Sequence, residues 1–469
     1  MPTPVHQTPL SRREALKLAA GLPWLAPGRT TRKVVVAGVG ISGLSCAYEL
    51  TKRGHEVTLL EALGRTGGHI LTVRDSLADG LYADAGAEHF YKPGYDEFYR
   101  YLEEFDLPVI AYPRRDRMIR FLGGKPYTAE MLADRNVLRA FELNQREIDY
   151  VARHSWPELS GLYLEPYLDS FPAEDRPFDA GLNHLDQLTV TDLLRRDGAS
   201  AAALGLVGGL RSALHTVWQA AIKKRRGFPR YVPQVYRIPG GNQRVTDALG
   251  AKLGARLRLG CPLTGIQHGA SGVTVEYREF GRVKKMDADY LVLSMPLRAL
   301  RDLPVTPEWP AAKRFVIDNL SYDLKARIIF QSRSRFWKTD GLSPNIVFSQ
   351  TELADVWRMA EEVPTPRGLL IGQARTSSAE TALAKFRQLY PGQAEDIEQA
   401  LLVNWTLDPW AGSCLPLAPP PGQLARFWPE LTRPCGRLHF ASVAVDSLPN
   451  GLEAGVRAAR RAAEAIDQA

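Results

Sequence analysis

The fold is decided by residues 33–43, whose sequence KVVVAGVGISG places three glycines directly behind a β-branched run. Short apolar runs of this kind are typical of strands buried in a parallel sheet. Residues 44–53 then predict a helix, because Leu44, Ala47 and Leu50 recur at helical spacing on one face. The order of strand, glycine turn and helix predicts an α/β fold.

Each of the three glycines has a physical role in a turn that binds a dinucleotide. Gly38 permits the tight turn, Gly40 lets the backbone approach a pyrophosphate, and Gly43 lets the helix pack closely on the strand. The pyrophosphate is expected beside Ile41 and Ser42, because N–H groups at a helix N-terminus and the helix dipole favour an anion there. The turn therefore predicts a Rossmann-type cofactor site.

A second predicted strand, residues 56–60, ends in Glu61, 18 residues beyond Gly43. An acid at this offset hydrogen-bonds the ribose hydroxyls of an adenosine and disfavours a 2′-phosphate. We expect Ala62, the next residue, to contact the same nucleotide. A glycine motif alone would be weak evidence, but two strands, a helix and a terminal acid in register indicate a dinucleotide.

The segment that follows Glu61 reads EALGRTGGH and resembles the E-x-x-x-R-x-G-G-R extension of the flavin-containing amine oxidase family. The resemblance implies that FAD, rather than NAD, is the cofactor. It implies that Arg65, Gly67 and Gly68 approach the phosphates or the ring of the flavin. His69 stands where the family has its second arginine.

Four further segments resemble the family and supply more predicted cofactor contacts. Residues 84–87 resemble its next cofactor-facing turn, residues 261–267 a strand near the adenine, residues 404–415 a tryptophan-led loop, and residues 437–456 the last strand and the helix that caps the flavin. The contacts implied by these segments are Ala87, Glu88, Leu263, Trp405, Ser442, Gly451 and Leu452.

This organisation predicts an α/β protein in which discontinuous segments build a Rossmann-type FAD-binding domain beside an α+β substrate-binding domain. The FAD-binding domain would comprise residues 32–95, 234–300 and 436–469. The substrate domain would comprise residues 96–233 and 301–435, with helices predicted at 190–196 and 213–223.

The family commonly carries a lysine that holds a water beside the flavin N5. The strand that resembles its surroundings offers Lys325 and Arg327, which the period of a strand would place on one face. Both side chains could equally be ordinary charges of an edge strand. Cys414 falls where some monoamine oxidases attach the flavin covalently, although a buried unreactive cysteine is the commoner outcome.

Several departures from the family bear on the substrate. Leu415 and Leu452 stand where monoamine oxidases have the two tyrosines of an aromatic cage. The family's A-G-E motif reads Ala441-Ser442-Val443, so its flavin-contacting acid is missing, and Asp446 is the candidate substitute.

The predicted activity is hydride transfer to FAD from a small molecule, an amine or amino acid, with O2 as a candidate acceptor. Arg114, Arg115, Arg117 and Arg120 are candidate partners for an amino-acid carboxylate. Two alternatives stay open: a desaturase of hydrophobic, isoprenoid-like substrates, and a flavin-binding protein without turnover.

Composition limits the other classes of function. A net charge of +7 in scattered clusters argues against a nucleic-acid platform, and four widely spaced cysteines argue against a disulfide framework or a metal site. Within residues 1–31, Arg12-Arg13 precede a short apolar run from Leu18 to Ala26, which matches a twin-arginine export signal. We therefore expect a periplasmic protein without a membrane span, tethered only if the signal is not cleaved.

Overall fold

The computed structural model describes residues 30–112, 114, 116–228, 234–323, 325–339, 343–348, 352–390, 392, 394–412, 415–448 and 451–469. The predicted export signal, up to Arg29, lies outside these residues, as does Cys414. Within the part of the chain described, no helix is long and apolar enough to cross a membrane.

The strands are β1 (Lys33–Ala37), β2 (Glu56–Leu60), β3 (Thr72–Val73), β4 (Ala83–Asp84), β5 (Ile110–Tyr112), β6 (Ile119–Leu122), β7 (Lys125–Tyr127), β8 (Val235–Arg237), β9 (Leu257–Arg258), β10 (Leu263–His268), β11 (Val273–Glu279), β12 (Arg282–Ala288), β13 (Tyr290–Leu293), β14 (Val305–Thr306), β15 (Ala326–Ser332), β16 (Ile346–Phe348), β17 (Leu353–Met359), β18 (Gly368–Ala374), β19 (Ile397–Asn404) and β20 (Leu438–Phe440). The α-helices are α1 (Ile41–Lys52), α2 (Asp96–Glu104), α3 (Arg135–Arg139), α4 (Gln145–Arg153), α5 (Gly161–Leu164), α6 (Val190–Arg196), α7 (Ala201–Val207), α8 (Ala213–Arg225), α9 (Gln243–Leu253), α10 (Ala311–Asn319), α11 (Phe336–Thr339), α12 (Ala379–Leu389), α13 (Leu424–Phe427) and α14 (Gly451–Asp467).

A five-stranded parallel sheet with the order β20-β13-β1-β2-β9 is the centre of the predicted FAD-binding domain, which we call the cofactor-binding half. Its strands come from three distant parts of the chain. Helices α1, α9 and α14 cover one face and bury Leu44, Leu249 and Val456 against it. Helix α1 begins at Ile41, three residues earlier than predicted, because the extended Gly40 acts as its N-cap.

An antiparallel layer lies on the other face of this sheet. Strands β12, β11 and β10 pair in sequence, and β14 extends the layer by pairing parallel to β10. Val273 and Val275 of β11 pack on Leu291 and Leu293 of β13, which buries the central strands from both sides.

A seven-stranded sheet with the order β19-β15-β18-β17-β16-β6-β7 lies in the predicted substrate domain, which we call the substrate-binding half. One face, which includes Phe330, packs on α12. The opposite face carries Ile329, Trp357 and Ile371, and it packs against Ala85 beside β4. Because alternate residues of a strand share a face, Arg327 also lies on this second face, which meets the cofactor-binding half.

Helices α3 to α8 form a separate layer between residues 135 and 225. The two predicted helices in this region are present as α6, with the predicted bounds, and α8, which is two residues longer. Leu193, Val217 and Trp218 pack with Trp428 and Leu448 of the C-terminal part of the chain.

Candidate active site

One cavity, with about 1190 Å³ of empty space when its open mouth is included, lies at the carboxyl ends of β1, β2, β13 and β20. Carboxyl ends of parallel strands are where open α/β sheets bind their ligands. The predicted site residues that line it are Gly38, Gly40, Ile41, Ser42, Glu61, Ala62, Gly67, Gly68, His69, Ala87, Leu263, Ser442, Gly451 and Leu452.

The first glycine turn is packed too tightly for side chains at two of its positions. Gly38 has φ +99°, a conformation that L-residues rarely adopt. A Cβ added to Gly43 would lie 1.9 Å from the carbonyl oxygen of Gly38 and 2.5 Å from Oγ of Ser294. Gly43 does not line the cavity, and its place is the contact between helix and strand.

A Cβ added to Gly40 would meet only the carbonyl oxygen of Gly67, at 3.8 Å. Gly40 and Gly67 pair as an isolated parallel bridge, which joins the two glycine turns. A side chain at Gly40 is therefore compatible with the protein itself and would instead reduce the space for whatever fills the cavity.

Glu61 lies at the end of β2 and is 6% exposed. Its Oε2 accepts a hydrogen bond from the amide of Val39 at 2.7 Å, and its Oε1 accepts one from the amide of Leu63 at 2.8 Å. Burial raises the pKa of Glu61, against the lowering effect of these backbone donors and Arg65. The carboxyl group is thus held rigidly at the cavity wall.

Arg65 organises the second glycine turn from outside the cavity. Its guanidinium donates to the carbonyl oxygens of Gly68 at 2.8 Å and Thr66 at 3.1 Å. The guanidinium is therefore bound to backbone oxygens of the turn. Arg65 stabilises the cavity wall in this way but does not line the cavity.

His69 follows this turn and forms part of the wall with Trp405 and Ala411. Its ring centroid is 4.2 Å from that of Trp405, and its Nδ1 is 3.1 Å from the carbonyl oxygen of Ala411. Burial lowers the pKa of His69 to about 4, so the imidazole is neutral at pH 7. Trp405 does not itself line the cavity, since its indole donates to the carbonyl oxygen of Ala85 at 2.8 Å.

The far end of the cavity is closed by the start of α14. Gly451 approaches the Tyr95 side chain so closely that an added Cβ would lie 1.9 Å from its hydroxyl oxygen. Asp446 does not supply the missing acid of this region. It is absent from the cavity wall, and its carboxylate is held by Arg457 at 3.1 Å and Arg461 at 3.0 Å.

Four charged residues lie behind Ala87, and we call Glu88, Arg114, Arg327 and Asp355 the charged cluster. Glu88 and Arg114 are buried, and Arg327 and Asp355 are half-buried. Arg114 is 2.6 Å from Oε1 of Glu88 and 3.6 Å from Asp355. Burial opposes ionisation of Glu88, but Arg114, His89 and Arg327 lower its pKa to about 2. Burial raises the pKa of Asp355 despite the two arginines. Glu88, predicted as a cofactor contact, is bound into this cluster and is not on the cavity wall.

The structure separates the two candidates for the residue beside the reacting centre. Lys325 precedes β15, is 48% exposed and pairs with Asp323 at 2.7 Å. Arg327 lies within β15, and its Nη2 donates to the carbonyl oxygen of Gly86 at 3.4 Å. Arg327 therefore contacts the turn that carries Ala87, whereas Lys325 points to solvent.

Comparison with known proteins decides the family. The model of the flavin containing amine oxidoreductase family matches residues 41–467. The chain belongs to this family. It is therefore an oxidoreductase, and its cofactor is FAD.

Relatives in this family match almost the whole chain. The L-amino-acid oxidase of Bothrops atrox is 23% identical over 463 residues, which cover 93% of this chain and 89% of the relative. The L-amino-acid oxidase of Vipera ammodytes ammodytes is 24% identical, with 93% of each chain covered.

Solved structures share the fold at lower identity. The cyclohexylamine oxidase of Brevibacterium oxydans IH-35A superposes with a TM-score of 0.77 and 22% identity, over 94% of this chain and 99% of that one. A putrescine oxidase superposes with a TM-score of 0.77 and 20% identity, over 94% and 100%. These similarities support the same two-part architecture.

The cavity fits FAD on its own geometry. Its glycine turns leave room for phosphates beside the N-terminus of α1, and Glu61 is placed for ribose hydroxyls. The resemblance to the family predicts the flavin ring beside His69, Ala87 and Leu452, and we call this part of the wall the flavin end.

Several residues of the cavity wall had no signal in the sequence. Ala299, Leu300, Leu303 and Tyr322 line it, although they belong to a loop and a short turn outside every recognisable motif. Trp410 and Ala411 also line it, and both lie within the tryptophan-led loop of residues 404–415. A larger set of related sequences is the signal that could have found the others.

Proposed function

We propose that this flavoenzyme oxidises the C–N bond of an amine or amino acid, with O2 as the electron acceptor. The observation that carries the proposal is the charged cluster beside the flavin end of the cavity. Buried charges are costly unless they are paired or bind a charged ligand, so they favour a polar, nitrogen-containing substrate over a polyene. The L-amino-acid oxidases among the relatives support the same class.

The bound flavin would supply the redox chemistry, namely acceptance of a hydride and its later discharge to an acceptor. The chain supplies a dry and rigid wall. His69, Trp405 and Ala411 exclude water on one side, and Leu452, which is 2% exposed, does so on another. Because the imidazole of His69 is neutral, it adds no positive charge to that of Arg327.

Anaerobic mixing with a substrate panel tests the proposal. We expect an amine or amino acid to bleach the flavin absorbance, and air to restore the absorbance with release of one peroxide per substrate oxidised. Polyenes and their precursors should leave the spectrum unchanged. Bleaching by polyenes alone would establish a desaturase and refute the proposal.

We further propose that the chain is exported to the periplasm by its twin-arginine motif, since this route accepts proteins that have already bound a cofactor. Replacing Arg12 and Arg13 together by lysine should retain the protein in the cytoplasmic fraction, whereas Arg29→Lys should not. Fractionation followed by immunoblotting measures the distribution. Equal periplasmic amounts of the two variants would contradict export by this route.

A further inference from the structure

We propose that Arg327 binds the carboxylate of the substrate, so that the substrate is an α-amino acid and not an amine without a carboxylate. This inference rests on the proposed oxidation of a C–N bond and names the substrate class of the same site.

Arg327 is positioned by regular structure. It is the second residue of β15 and pairs with Gln373 on β18 and Val403 on β19. Its side chain lies on the face that meets the cofactor-binding half, where the guanidinium carbon is 5.4 Å from the centre of the Trp357 ring. The hydrogen bond to Gly86 places the group one residue from Ala87 of the cavity wall.

The guanidinium of Arg327 forms no ion pair with any residue in the described part of the chain. Among the described residues, no carboxylate oxygen lies within 4.0 Å of it, although it lowers the pKa of nearby Glu88. Its Nη1 is fully buried and has no hydrogen-bond partner. A buried N–H group without a hydrogen-bond partner is unfavourable, and an anion would satisfy it together with the charge of the guanidinium. A carboxylate matches the fork of an arginine with two parallel hydrogen bonds.

The other candidate arginines are engaged elsewhere. Arg114 is bound to Glu88 and Asp355 and stacks on Trp357 at 3.8 Å. Arg117 is 57% exposed and lies 3.8 Å from Asp116.

The remaining two candidates do not replace Arg327. Arg120 belongs to β6, four strands away from β15 across the sheet. Arg115 lies outside the described residues.

The charged cluster also offers a partner for the amino group. Oε1 of Glu88 is 2.6 Å from Arg114 and 2.8 Å from Nδ1 of His89, but its Oε2 is buried without a hydrogen-bond partner. One guanidinium nitrogen and one carboxylate oxygen without hydrogen-bond partners thus lie near the same wall residue, Ala87. That arrangement complements a zwitterion, which carries one charge of each sign.

Ligand titration of the FAD-loaded enzyme tests the inference without requiring turnover. Benzoate and benzylamine, added separately, are followed by the shift in flavin absorbance. We expect benzoate to bind, and its dissociation constant to rise on the order of 100-fold in Arg327→Met, because a hydrogen-bonded charge pair is lost. Arg327→Lys should recover part of the affinity. Arg333→Met is the matched control, since Arg333 follows the other end of β15 and is 63% exposed.

Reduction rates then separate this inference from the proposed function. Phenylalanine should reduce the flavin far faster than phenylethylamine, which lacks the carboxylate, and Arg327→Met should remove the difference. Equal rates in the native enzyme would overturn the amino-acid assignment and leave C–N oxidation standing. Arg327-dependent benzoate binding without reduction by any amine or amino acid would uphold the carboxylate site and refute the proposed oxidation. Unchanged benzoate affinity in Arg327→Met would overturn the inference directly.

Discussion

Gly43→Ala is expected to purify with less than about a tenth of the native FAD content. The new Cβ would lie 1.9 Å from the carbonyl oxygen of Gly38, which is backbone and cannot move without opening the turn. The ratio of flavin to protein absorbance measures the content. Gly64→Ala is the matched control, because nothing lies within 4 Å of its added Cβ.

A third variant separates loss of the turn from loss of cofactor contact. Gly40→Ala meets no close protein atom, so its thermal unfolding without cofactor should match that of the native chain. Its affinity for FAD should still fall by at least about tenfold, since one unfavourable contact of ~1.4 kcal/mol has that effect. Native FAD affinity in Gly40→Ala would show that the phosphates do not lie against this residue.

Three buried histidines are expected to destabilise the folded protein as the pH falls from 6.5 to 4. Burial lowers the pKa of His69, His215 and His439 to about 4 from an ordinary value of 6.5. At these three sites the unfolded chain binds more protons than the folded protein in this window, so their contribution to the free energy of unfolding decreases as the pH falls. Burial raises the pKa of Asp84 to about 6 and that of Glu453 to about 7, and these two acids act in the opposite direction. Each histidine contributes ~1.4 kcal/mol per pH unit where only its unfolded form is protonated.

Urea unfolding at several pH values measures this slope. His439→Gln removes one buried imidazole away from the cavity wall, next to the Tyr290 ring at 5.5 Å. The free energy of unfolding of this variant should depend less on pH than that of the native protein. The difference should correspond to the uptake of up to about one proton on unfolding. An identical slope in both proteins would mean that His439 is protonated in the folded state.

The cofactor-binding half was predictable because its information is local. β1 has the predicted bounds, and the glycine turn, α1, β2 and Glu61 follow within 30 residues of its start. In this segment the backbone restricts which residues can occur. Gly43 lies too close to the carbonyl oxygen of Gly38 for a side chain, and Gly38 has a positive φ. The strands that resembled the family lie within two residues of the predicted positions.

The substrate-binding side was less predictable because its contacts join distant residues. The sequence spacing predicts the same strand face for Lys325 and Arg327. In the structure β15 starts at Ala326, so that Arg327 belongs to the strand and Lys325 precedes it. The environment of Arg327 consists of Gly86, 241 residues earlier, and Trp357 on another strand. A pattern along one strand carries no information about which distant groups face it, or about whether a charge there has a partner.

The order of strands in the parallel sheet also constrains when the enzyme can acquire its cofactor. During synthesis β1 and β2 emerge first, but β13 keeps an unpaired edge until β20 has left the ribosome. Helix α14 follows later still, and its first residues line the cavity. A nascent chain thus has no complete nucleotide site, so cofactor insertion is a post-translational event, and C-terminal truncation should abolish it together with folding.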